Sequence, residues 1–244
     1  MPIVLPSDAT GTPKKLRIGP VVRFVDVGII TPEQSIALDR SVFEARDSDL
    51  VPDTIHIYSR DRRTVSLGRS GDPSVDLFPD IPGDLSIVRR MSGGGTILTG
   101  PDQIIIVVTL GGEIPDRNVS FELICKCISD VLAHFGILSE FKPPNDILVD
   151  GKKISGGAQY RKPHSFIHQA TLIVRNDPLA EKIIVPKPGR IYNGLTSIEE
   201  QTGRVPERTE IVDALIEAFS GILDVEIKKG TLTGSEADAA GIRV

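Results

Sequence analysis

Between Gln103 and Leu110 the chain reads QIIIVVTL, and only Thr109 interrupts a run of isoleucine and valine. Successive side chains of a strand point to opposite faces. A run that is apolar at consecutive positions therefore needs cover on both faces, which marks a central strand flanked by two layers. The run is far shorter than the roughly 20 apolar residues needed to cross a bilayer, and nothing in the chain approaches that length, so no membrane partner is expected. A chain of 244 residues can bury one sizeable core around such a strand.

The flanking sequence supplies the layers. Arg17 to Val27, Thr54 to Ser59, Thr64 to Leu67, Leu85 to Arg89, Ile147 to Val149 and Ile167 to Val174 are short β-branched segments that predict strands. Arg60-Asp61-Arg62-Arg63 reads as a charged hairpin turn between the second and third of these. Thr31-Pro32-Glu33-Gln34 opens a helix, with Thr31 as cap and Gln34 completing a capping box. Phe121, Ile124, Ile128 and Val131 recur at helical spacing, and Glu210 to Ile222 is amphipathic. Strands and helices mix without strict βαβ alternation, which predicts an α+β fold with a mainly antiparallel mixed sheet and packed helices. Residues 1–16 read as a loose lead-in, 17–233 as one folded domain and 234–244 as a polar tail.

The net charge of -5 argues against nucleic acid as the main partner. The N-terminus lacks the basic start and apolar block of a secretory signal. Cys125 and Cys127, the only cysteines, sit two apart in ICKCI, a spacing that suits neither a disulfide framework nor a zinc site. Together these features predict a cytoplasmic protein. One of the two thiols is expected in the core and the other partly exposed.

Two glycine clusters carry the functional reading. In RRMSGGGTILTG (89–100), Gly93, Gly94 and Gly95 are consecutive. Ordering three glycines is entropically costly, so a backbone shape that side chains would forbid is implied. Gly95 and Gly100 have Walker spacing, but Pro101-Asp102 replaces the phosphate lysine, and the G-x-G-x-x-G fingerprint fails at Leu98. What remains is a tight turn or a wall for an anionic or flat ligand, with Arg89 and Arg90 as fixed cations. In PPNDILVDGKKISGGA (143–158), Asp150-Gly151 is a strong hairpin signal. Strand alternation then places Lys153 and Ser155 on one face, Lys152 and Ile154 on the other.

These motifs, with FIHQATLIV (166–174) and L-T-S-I-E-E (Leu195 to Glu200), together resemble the lipoate–protein ligase family, which shares a superfamily with biotin–protein ligases and octanoyl transferases. The resemblance implies a biotin/lipoate-ligase-like catalytic domain over 17–233 without a C-terminal accessory domain. It implies activation of lipoate by ATP, with Mg2+, to lipoyl-AMP. The acyl group then passes to a lysine of a lipoyl carrier domain, such as a glycine-cleavage H-type protein or an acyltransferase-subunit domain. Some shorter relatives also need a separate accessory subunit.

Carried over residue by residue, Arg90 and Ser92 would face the phosphate, and Gly93, Gly94 and Gly95 would wall the acyl-adenylate. Asn145 and Asp146 would bind the nucleotide side, with Asp146 the candidate Mg2+ ligand. Lys153 would be catalytic at the reaction centre, and Ser155, Gly156 and His168 complete the substrate-facing set. Gln169-Ala170 stands where a smaller pair is common, implying a bulkier pocket wall.

The main rival is an octanoyl or lipoyl transferase working through a cysteine thioester. GPDQI (100–104) resembles the GPGQL of octanoyl transferases, but neither position where such enzymes keep their cysteine holds one here. A biotin ligase fits less well, and a non-catalytic acyl- or nucleotide-binding module is the third reading.

Overall fold

The computed structural model describes residues 19–113, 115–186 and 193–243. β1 (Val21–Ile30) leads through Thr31 into α1 (Pro32–Asp47), followed by β2 (Thr54–Arg60), β3 (Thr64–Leu67), a single turn α2 (Pro73–Asp76), β4 (Ser86–Arg89) and β5 (Ile97–Thr99). β6 (Gln103–Gly111) precedes the long helix α3 (Arg117–His134), and β7 (Glu140–Lys142), β8 (Asp146–Val149), β9 (Lys152–Arg161) and β10 (Ser165–Ile173) follow. The chain continues through α4 (Leu179–Ile183), α5 (Ile198–Thr202), α6 (Arg208–Leu223), β11 (Glu226–Lys229) and α7 (Gly234–Ala240). None of the described helices is long and apolar enough to cross a membrane.

Eight strands form one sheet in the order β11-β1-β2-β6-β10-β9-β8-β7. β1 runs parallel to β11 and β2, and the other pairs are antiparallel. β6 lies in the middle with every residue buried, as its sequence predicts. Its Ile104, Ile106, Val108 and Leu110 join the core under α3 and α6, whereas Ile105 and Val107 join the core under α1 and α7. A second sheet, β4-β3-β5, builds a third apolar cluster with α4. The α+β expectation therefore holds, with a parallel corner at β11-β1-β2.

Three expectations are corrected. β2 and β3 are not a hairpin, because β2 pairs with β1 and β6 while β3 pairs with β4 and β5. Arg60, read as part of a solvated turn, is buried, donating to Ser35 Oγ (3.1 Å) and Thr99 Oγ1 (2.7 Å), so the chain can stay inside the fold as it changes sheets. Residues 234–240 are not a polar tail. Thr233 and Glu236 form a capping box, Ala237 and Ala240 are buried, and Glu236 pairs with Arg23 at 2.6 Å. Both cysteines are buried, not one, because α3 is covered by the sheet on one side and by α6 on the other. The predicted capping box at Thr31 and Gln34 is present.

Candidate active site

Both arginines brace glycine loops, Arg89 from the surface and Arg90 from within. Arg89 donates to the carbonyls of Gly68 (3.0 Å) and Gly71 (2.7 Å). Arg90, 7% exposed, donates to Ser92 Oγ (3.1 Å) and to the carbonyls of Ser66 (2.8 Å), Gly93 (2.6 Å) and Gly95 (2.7 Å). A planar guanidinium with several fixed donors suits this task, since it can hold a loop whose carbonyls all turn inward. Glycine is required at two points of this packing. Gly94 has φ +82°, and a Cβ on Gly68 would fall 2.3 Å from the Gly94 carbonyl oxygen. Ser92 is fully buried behind the loop, its hydroxyl accepting from Arg90, so it does not face a ligand as the sequence suggested.

Across from this loop, Asp150 (φ 50°) and Gly151 (φ 72°) make the tight turn between β8 and β9. The segment after Asn193 runs beside the start of β9. The Lys153 N–H donates to the Gly194 carbonyl (3.0 Å), and the Thr196 N–H donates to the Lys153 carbonyl (2.9 Å). Lys153 Nζ lies 2.7 Å from Asp146 Oδ1, both side chains about nine-tenths buried. Gly156 leaves room for that ammonium, since a Cβ there would fall 2.3 Å from Nζ.

Ser155 does not share the Lys153 face. β8 pairs Leu148 with Lys153 but Ile147 with Ser155, so Ile154 is the extra residue of a bulge. Ser155 also stands opposite Leu172, and Ile147, Ile154 and Leu172 all belong to the core under α3. One inserted residue reverses the alternation that the sequence predicts.

Between these walls lies a cavity of about 230 Å³. Its bore is apolar, formed by Ile97, Leu98, Ile173, Ala180, Ile184 and Leu195, and Lys153, Gly95 and Gly156 border it as well. A smaller cavity of about 40 Å³ shares Lys153, Gly95 and Gly156 and adds Arg90, Gly94 and Asn145. An apolar bore that meets a buried cation and a glycine wall is suited to a fatty acyl chain whose polar head lies at Lys153.

The structure thus brings together Arg90, Gly94, Gly95, Asn145, Asp146, Lys153, Ser155 and Gly156, whereas Gly93 borders neither cavity. Asn145 fixes the wall, donating its side-chain amide to the Gly157 carbonyl while its own carbonyl accepts the Gly157 N–H (3.0 Å). His168 is not at the site. Its ring packs edge-on against Phe121 of α3 at 5.4 Å, and burial pulls its pKa down to about 3. Alternation along β10 explains this, because His168 packs on Phe121 and Leu172 joins the core under α3, whereas Gln169 and Thr171, with Ala170 between them, border the smaller cavity. Gln169 is the bulky wall expected there. Asp146 is committed to Lys153, and no three His, Cys, Asp or Glu side chains are grouped to hold a metal among the described residues. These residues do not build a Mg2+ site of their own.

The sequence reading missed Ile97, Leu98 and Ile173 as cavity walls, although the first two directly follow the glycines. It also missed Asp76, which borders the larger cavity and accepts from Thr96 Oγ1 at 2.7 Å. No thiol lines either cavity. Burial pushes Cys125 up to about 12, with Asp146 adding to the rise, and pushes Cys127 well above the usual thiol range.

An octanoyltransferase LipM of Moorella thermoacetica is 24% identical over 251 residues, covering 88% of this chain and 90% of that protein. A lipoate-protein ligase A of Psychrobacter cryohalolentis is 26% identical over 208 residues, covering 81% of this chain and 59% of its own length. Among solved structures, a bi-partite lipoate protein ligase of Thermoplasma acidophilum superposes with TM-score 0.78 at 17% identity, covering 91% of both chains. A lipoate-protein ligase A bound with ATP gives TM-score 0.78 at 19% identity, covering 90% of this chain and 92% of that one. These structural likenesses establish the fold. The description "Lipoyl protein ligase A/B catalytic domain" matches residues 31–220. The chain belongs to the lipoyl protein ligase A/B catalytic-domain family.

Proposed function

We propose that this protein activates lipoate with ATP and transfers the lipoyl group to a lysine of a lipoyl carrier domain. The observation that carries this reading is an apolar bore that ends at Lys153 and the glycine loop and contains no thiol. In the first step a carboxylate oxygen of lipoate attacks the α-phosphorus of ATP. The bond to pyrophosphate breaks and the mixed anhydride lipoyl-AMP forms. Negative charge gathers on the phosphoryl oxygens, where the Lys153 ammonium is held and nearby backbone amides can stabilise it. In the second step the neutral ε-amine of the carrier lysine attacks the acyl carbon. AMP leaves, an amide forms, and the amine proton passes to solvent. Asp146 holds Lys153 in place. Mg2+ would arrive on the nucleotide phosphates, and no step passes through a protein-held ion.

The similarity to LipM supports a second reading, in which octanoyl passes between carriers through a cysteine thioester. That route needs an accessible thiolate. Here the two thiols sit in α3 with their ionisation suppressed by burial. Lipoate-dependent exchange of labelled pyrophosphate into ATP tests the ligase reading. Exchange that needs lipoate and is lost in Lys153→Ala supports it. Absence of exchange, together with a stable octanoyl thioester on the protein, supports the rival.

A further inference from the structure

Behind the glycine loop lies a buried polar network that the proposed chemistry does not use. Asp39 of α1, 1% exposed, faces His56 Nε2 at 2.9 Å, and its other oxygen accepts from the Tyr58 hydroxyl at 2.9 Å and from Gln169 Nε2 at 2.5 Å. Gln169 spends its second group on the loop, its Oε1 accepting the Ser92 N–H at 3.3 Å. The Ser92 carbonyl in turn accepts the Arg69 N–H at 2.9 Å.

We propose that Gln169 is a positioning residue that fixes the glycine loop for acyl transfer, with Asp39 setting which way its amide points. A carboxylate can only accept, so Asp39 compels Gln169 to present its NH2 group to α1. The carbonyl end is then left facing the Ser92 N–H. A side chain held at both ends cannot rotate, and the loop amide it holds cannot drift. Arg90 grips the loop through the Ser92 hydroxyl and the Gly93 and Gly95 carbonyls, whereas Gln169 grips it through the Ser92 amide. Tyr58 belongs to the same arrangement. It lines the smaller cavity, and burial, reinforced by Asp39, keeps its phenol protonated far above the usual range, so it remains a donor to Asp39. This inference rests on the acyl-transfer reading only for its effect on turnover. Its effect on the loop stands apart from that reading.

The test is hydrogen exchange of the loop peptide spanning residues 91–95 in the free protein, comparing wild type with Gln169→Met, which keeps length but neither hydrogen bond. The loop should exchange at least about tenfold faster in the variant, while peptides of α3 and α6 stay unchanged. Gln169→Asn, one methylene too short to reach both partners, should show the same local change and serves if the first variant does not fold. Thr171→Val, which lies on the same wall, should leave loop exchange as in wild type. Carrier modification by Gln169→Met should show a kcat lowered about tenfold or more, with KM for lipoate within about threefold. Loop exchange equal to wild type in both Gln169 variants would overturn the proposal. Faster exchange with no activity in the wild type would instead count against the functional reading alone.

Discussion

Lys153 and Ser155 lie on opposite faces of the sheet although a single residue separates them on β9. The bulge at Ile154 turns Lys153 toward the cavity, where it meets Asp146, and sets Ser155 opposite Ile147 and Leu172 of the core under α3, at the cavity's border. Lys153→Ala should therefore lower the rate of lipoyl-AMP formation by roughly 100-fold or more, the scale of losing one preorganised electrostatic contact. Lys152→Ala, exposed beside the turn, should cost far less. Ser155→Ala removes a buried hydroxyl that has no hydrogen-bond partner, so its Tm should hold or rise. Single-turnover rates and thermal melts of the three variants check this.

Gly156 and Gly68 should separate activity from stability. A Cβ on Gly156 would collide with the end of Lys153 and with Asp146 Oδ1, both ends of side chains that can shift without moving backbone. Gly156→Ala should then lower turnover at least about tenfold, because the ammonium is displaced from its place beside Asp146, with a stability cost no larger than that of Gly68→Ala. A Cβ on Gly68 would collide with the Gly94 carbonyl, which is backbone held by the loop. Gly68→Ala should cost about 1–3 kcal/mol, the usual penalty of overpacking, read by denaturant melts.

Replacing both cysteines tests the absence of a thioester. Both are packed in α3, so Cys125→Ala with Cys127→Ala should lower stability by about 1 kcal/mol per site. Carrier modification measured well below the Tm should survive.

His168 gives a pH signature. Burial lowers its pKa from 6.5 to about 3, so it is neutral in the folded protein and takes up a proton on unfolding across that window. The stability that depends on the neutral ring is present above about 6.5 and is lost as pH falls below it. Thermal melts from pH 7 to pH 4 should show a steeper loss in wild type than in His168→Gln. Equal slopes would remove His168 from the account of acid sensitivity.

Much of the fold was legible because its signals are local. QIIIVVTL reads as a central strand, Thr31 and Gln34 announce a helix start, and Asp150-Gly151 announces a turn. The change of sheets between β2 and β3 was not legible, since Arg60 looks like a turn residue until Ser35 and Thr99, distant in sequence, meet its guanidinium. Helix α7 was hidden for a similar reason. SEADAA reads as polar until Arg23 pairs with Glu236 and the alanines meet α1. Within the site, residue types were readable but directions were not. Gly94, Gly95, Gly156 and Lys153 border the cavities and Gly93 does not, whereas the placement of Arg90 and Ser92 depended on which way the loop carbonyls turn. His168 and Ser155 depended on strand parity, which one bulge or one register choice decides.

The central claim is that acyl transfer passes through an anhydride to AMP and not through a protein thioester. Intact-mass measurement of an unmodified lipoyl domain tests it most directly, using preformed lipoyl-AMP and the protein carrying both Cys125→Ala and Cys127→Ala. The carrier should gain one lipoyl group while the protein's own mass stays unchanged. A carrier left unmodified by this folded variant, with wild type instead holding a lasting acyl group on Cys125 or Cys127, would contradict it.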